Sequence, residues 1–86
     1  MQRAFVFVKV QPGHEKQVMS ELMKHDEVRE VHVIGGDWDL LALLEVRREI
    51  VAPSDETIYN FVVERIRKID HIQNTQTIVP HLSVSK

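Results

Sequence analysis

The sequence predicts an α+β protein of ferredoxin-like βαββαβ order, a four-stranded antiparallel sheet with two helices on one face. Three observations carry this. Four short segments are rich in β-branched, aromatic or alternating apolar residues, and two intervening segments carry apolar residues at helical spacing. A Gly-Gly-Asp signal joins the two central strand segments as a hairpin, leaving two similar βαβ halves. With 86 residues, no internal linker and no low-complexity stretch, one domain over 1–86 accounts for the chain, its core over about residues 3–80.

Each element follows from its residues. Ala4-Phe5-Val6-Phe7-Val8-Lys9-Val10 reads as the first strand, and Gln11-Pro12-Gly13 breaks it. His14 to His25 reads as a helix whose apolar stripe is Val18, Met19, Leu22 and Met23. Val28 to Ile34 alternates, with Val31 and Val33 on one face and Glu30 and His32 on the other. Gly35-Gly36-Asp37 turns the chain, and Trp38 to Val46 is the second strongly apolar strand. A polar connection, Arg47 to Ser54, contains Pro53. Ser54 is placed to cap a second helix with a stripe of Ile58, Phe61, Val62, Ile66 and Ile69, and Arg65, Arg67 and Lys68 suit its C-terminal dipole. His71 to Val79 is a last, more polar strand that Pro80 ends or confines to an edge.

Composition bounds the function. Eleven Lys and Arg face 13 Asp and Glu, a balance of −2, so the broad basic surface of a stand-alone DNA binder is absent and no direct nucleic-acid partner is expected. There is no cysteine, which removes disulfides and thiolate metal ligands. The longest apolar run, Leu40 to Leu44, is far short of a membrane span, and the N-terminus does not read as a signal peptide, so a cytoplasmic protein with no membrane partner is expected. A domain this small buries only about 60–65% of its unfolded surface, and association is the common remedy.

The strand faces sharpen that point. Ala4, Val6, Val8 and Val10 in the first strand and Leu40, Ala42, Leu44 and Val46 in the third can face the helices. The alternate positions Phe5, Phe7, Leu41 and Leu43 are apolar too, interrupted only by Lys9 and Glu45. Two helices cover one face only, so the other exposes an apolar patch of several hundred Å², which soluble monomers rarely tolerate. A two-fold dimer, sheet against sheet, is the symmetric solution, with Phe5, Phe7, Leu41 and Leu43 at its interface; the inference needs only that both faces are apolar.

No catalytic constellation assembles. The serines lie in helix, cap or tail contexts, and the five histidines lack metal-ligand spacing, so no catalytic residue, metal or cofactor is expected. Asp37 and Asp39 flank a hairpin turn, where a short carboxylate commonly accepts backbone N–H bonds. Trp38 caps the core or shapes a pocket. Thr75 and Thr77 share one strand face, as β propensity alone allows, although paired hydroxyls beside a Gly/Asp loop can bind a small polar molecule.

Gly35-Gly36-Asp37-Trp38-Asp39-Leu40-Leu41 resembles the Gly-Asp-x-Asp-(Tyr/Leu)-Leu turn of the Lrp/AsnC family. Ile66 to Ile72 resembles that family's passage from helix to strand, and Thr75-Gln76-Thr77 its Thr-x-Thr. The resemblance spans about residues 3–80 and points to the family's effector-binding and oligomerisation (RAM) domain. Full-length members begin with a helix-turn-helix domain that this sequence lacks, which implies a stand-alone effector domain, and the connection Arg47–Ser54 is longer than the family's usual one.

The resemblance implies a regulator of transcription, not an enzyme. Family members dimerise through their sheets, and the dimers form rings, often octamers. An amino-acid effector binds where dimers meet, so Gly36, Asp37, Trp38 and Asp39 would line the site with Thr75 and Thr77. A full-length Lrp/AsnC regulator is a further implied partner. Two rivals share the fold: an ACT-like amino-acid-binding module, whose ligand would sit against the first loop and helix, and a small dimeric α+β-barrel monooxygenase.

Overall fold

The structure is a computed structural model that describes residues 2–47, 54–84 and 86, with side chains from Thr57 onward in the second helix. Its elements are β1 (Gln2–Val10), α1 (Glu15–Met23), β2 (Val28–Val33), β3 (Leu40–Val46), α2 (Ser54–Phe61) and β4 (Ile72–Ile78), with a π-helical stretch, Val62–Ile66, continuing α2. The strands form one sheet in the order β2-β3-β1-β4 with antiparallel neighbours, the ferredoxin-like arrangement. The connection 48–53 and the cap expected of the Ser54 side chain lie outside the described residues.

Alternation along the two central strands builds the core. Ala4, Val6, Val8 and Val10 of β1 and Leu40, Ala42, Leu44 and Val46 of β3 are all buried. They pack with Val18 and Leu22 of α1 and with Ile58, Phe61, Val62 and Ile66 of the second helical segment. No polar or charged side chain is buried among the described residues. The core is therefore purely apolar, and burial of each large side chain stabilises it by about 1.5–3 kcal/mol.

Several boundaries differ from the sequence pattern. Trp38 and Asp39 lie in the hairpin loop rather than in β3, because the Asp39 N–H donates to the Val8 carbonyl (3.0 Å) and the Ile34 N–H to the Asp39 carbonyl (3.0 Å), drawing the loop onto β1. Met23 is 51% exposed at the end of α1, and Val33 is 65% exposed at the end of the edge strand β2. Both carry the right periodicity but lie where the core ends. The second helix widens into π geometry, with the Arg67 N–H donating to the Val62 carbonyl five residues back (2.9 Å). β4 is an edge strand ending before Pro80.

Register shifts bend both edges. β4 slips between Lys9 and Val10, so that Val10 pairs with Ile72 while Lys9 pairs with Asn74. β2 slips between Val28 and Glu30. Replacing Leu22, fully buried between α1 and the sheet, by Ala is expected to cost about 2–5 kcal/mol, seen as a lower urea midpoint with an unchanged slope.

Candidate functional site

One end of the sheet gathers three turns around the last residues of β1. The 34–39 loop lies on one side of it, the β1–α1 turn follows it, and the connection into β4 lies on the other side. Lys9 and Val10 of β1 reach the 34–39 loop, and Gln11, just past the strand, reaches the other side. Lys9 donates from Nζ to the Asp37 carbonyl (2.8 Å). The Val10 N–H donates to Asp39 Oδ2 (2.8 Å). The Gln11 N–H donates to the His71 carbonyl (2.9 Å).

The loop is shaped by local chemistry. Gly36 has φ +97°, a left-handed conformation that disfavours a side chain although the space beside it is open. Asp39 is half-buried, and its carboxylate stands in for a strand partner of Val10. Asp37 is exposed. Trp38 is half-buried and tilted 40° against Phe7, ring centroids 6.1 Å apart.

Register assigns the remaining residues to faces. Phe5 pairs with Leu43 and Phe7 with Leu41, and all four are half-buried on the face away from the helices. Ile78, opposite Phe5, extends this band onto β4. Polar groups frame it: Arg3 and Glu45 at one end (3.9 Å), Glu30 and His32 along β2 (3.0 Å), and Lys9 beside the loop. Thr75 and Thr77 pair with Val8 and Val6, so they lie on the helix-side face. β1 separates them from the loop by two strand spacings, about 10 Å. One chain therefore brings Gly36, Asp37, Trp38 and Asp39 together and keeps both threonines apart from them.

Two features escape the sequence pattern. The Lys9 ammonium reaches the loop, whereas by alternation it only interrupts an apolar face. His14 and His71 stack in parallel, 3.7 Å between centroids, and His71 Nδ1 lies 2.9 Å from Gln11 Oε1. His71 holds a left-handed φ of 74°, a strain held in place by the stack and the Gln11 contacts. His25 instead meets Phe61 edge-on at 5.8 Å.

Among the described residues, no group of three His, Asp or Glu side chains is placed to hold a metal ion. No described helix is long and apolar enough to cross a membrane. A cleft of about 770 Å³ lies at the opposite end of the sheet, where Asp26, Glu27 and Glu64 face Arg29, Arg47 and Arg65. Its charges are mixed, so it does not define a ligand.

Known proteins show the same framework. The model of the Lrp/AsnC ligand binding domain matches residues 3–84. The chain belongs to this family. Among curated relatives, the HTH-type transcriptional regulator PF0250 of Pyrococcus furiosus is 31% identical over 86 residues, covering 96% of this chain and 53% of the relative. The chain thus spans about half the length of the curated regulators it matches. The hypothetical protein PHS023 from Pyrococcus horikoshii is 32% identical with a TM-score of 0.77, covering 96% of this chain and 93% of that one. The transcriptional regulator NMB0573 from Neisseria meningitidis, 15% identical, shares the fold at a TM-score of 0.81 over 99% of this chain and 53% of its own. As an Lrp/AsnC ligand-binding domain, the chain is regulatory in kind.

Two substitutions test the loop geometry. Asp39→Ala strands the Val10 N–H and is expected to lower stability by about 1–3 kcal/mol, with Asp39→Asn recovering most of it in urea unfolding. Gly36→Ala is expected to cost about 1–2 kcal/mol through its positive φ alone, read as a lower thermal midpoint.

Proposed function

We propose that the chain is an amino-acid-sensing domain. It pairs with a second copy through its open sheet face and binds a small amino acid where dimers meet. The loop residues Gly36, Asp37, Trp38 and Asp39 line the site, and Thr75 and Thr77 come from a neighbouring copy, which accounts for their separation within one chain. The effector then changes assembly, and assembly changes transcription through a helix-turn-helix relative that joins the complex. No catalytic step is involved, and the protein works in the cytoplasm with such regulators.

The observation that carries this reading is the open face. Phe5, Phe7, Leu41 and Leu43 form a continuous band with Trp38 at its border, framed by charged side chains. An apolar centre with a polar rim is the anatomy of a protein interface. The band and the loop share β1, so a second copy on the face lies beside the effector loop. The class of effector is supported by NMB0573, which was solved as a complex with L-Met. The chemistry suits it, because turn N–H groups and hydroxyls complement a carboxylate and an aspartate complements an ammonium.

Light scattering behind a sizing column, with and without a panel of amino acids, tests the reading. A mass of several dimers, an octamer among them, that shifts with one amino acid is the expected result. A monomer, or a dimer indifferent to every amino acid, would overturn it. Leu43→Glu places a charge in the centre of the band and is expected to give a folded monomer, checked by the same measurement and by circular dichroism.

A further inference from the structure

We propose that Lys9 is the residue that binds the effector's carboxylate, and that Asp37, not Asp39, binds its ammonium; this rests on the amino-acid reading above. The starting observation is an ammonium held without a counter-ion. Lys9 Nζ lies 2.8 Å from the neutral Asp37 carbonyl, which accepts one of its three protons. The ion pairs among the described residues are Arg3–Glu45, Lys24–Glu21 and His32–Glu30, so no described carboxylate lies within pairing distance of Lys9. Among the described residues the Asp37 carboxylate likewise has no ion-pair partner, and it is exposed, although its own carbonyl touches the Lys9 ammonium. The loop thus displays one positive and one negative group side by side without letting them neutralise each other.

A free amino acid carries the opposite pattern, a carboxylate and an ammonium a few bonds apart. Of the two aspartates, Asp39 already spends Oδ2 on the Val10 N–H in a half-buried position, which makes it a structural staple. Asp37 has no such commitment. Two backbone bonds, the Val10 N–H bond to the Asp39 carboxylate and the Lys9 contact hold the loop in place, so a ligand meets charges already positioned and loses little to ordering them. Lys9 also leaves β1 on the same side as Phe5 and Phe7, so the ammonium lies at the border of the face expected to carry a second copy.

Calorimetric titration of the whole chain with the common amino acids, and with the carboxamide and N-acetyl derivative of each one that binds, separates the two assignments. The parent is expected to prefer the free acid to its carboxamide by about tenfold or more. Lys9→Gln is expected to bring the two to within about twofold of each other, while Lys9→Arg keeps the preference. Asp37→Asn is expected to erase the preference for the free ammonium over the N-acetyl form and to leave the acid preference intact. A preference for the acid that survives in Lys9→Gln would overturn the Lys9 assignment, and one for the ammonium that survives in Asp37→Asn would overturn that of Asp37. A parent that binds no amino acid removes the amino-acid reading itself, whereas a parent that binds while its variants keep both preferences overturns this proposal alone. Circular dichroism of each variant shows whether the sheet is retained.

Discussion

β1 and β3 lie side by side at the centre of the sheet, and both are apolar on both faces. Everything else in the molecule answers to that constraint. One set of side chains is covered by two helices, whose buried residues match it in a core free of polar groups. The other set has no covering element among the described residues. The hydrophobic effect that makes the pair so good a core makes the opposite face a surface that water disfavours. The alternation that gives the fold is thus also what supports the self-association proposed for it, with no separate binding motif required.

The position of the loop follows from that pairing too. β3 enters beside the end of β1, so residues 34–39 must cross near Lys9 and Val10. The Asp39 carboxylate takes the Val10 N–H, which lies beyond the last β1–β3 pair, Val8 with Leu40, and Gly36 supplies the left-handed turn that lets the chain approach. The framework persists at TM-scores near 0.8 in PHS023, which is 32% identical, and in NMB0573, which is 15% identical. The loop's shape depends on two backbone bonds, the Asp39 carboxylate, the Lys9 ammonium and one glycine.

Much of this was legible in the residues themselves. Strands β1 and β3 announce themselves by apolar density, and the uncovered face by the presence of apolar residues at both parities. Edges were less legible. Val33 and Met23 satisfy the periodicity of their elements yet lie beyond the core, because periodicity reports a face and not how far the packing extends along it. Trp38 and Asp39 read as strand because the apolar run begins nearby, while the hydrogen bonds that place them in a loop come from β1, residues distant in sequence. The same holds for Lys9, which meets a carbonyl 28 positions away, and for His71, whose partner Gln11 is 60 positions away. Such contacts depend on strand order, which local patterns do not encode. Thr75 and Thr77 show the converse: their shared face was readable, but its distance from the loop required the sheet order to be known.

The stacked His14 and His71 have an effect on where the molecule can open. Strands usually fray at their ends, where pairing stops and solvent competes for the last amides. The C-terminal end of β1 is closed on both sides, by the Asp39 carboxylate at Val10 and by the His71 carbonyl at Gln11, and the imidazole pair tops it like a clasp. Local opening is thereby displaced toward the far end of the sheet, where β2 begins and β3 runs out into the connection to α2. The Val10 and Gln11 amides should therefore exchange more slowly than those of a strand end left unclosed.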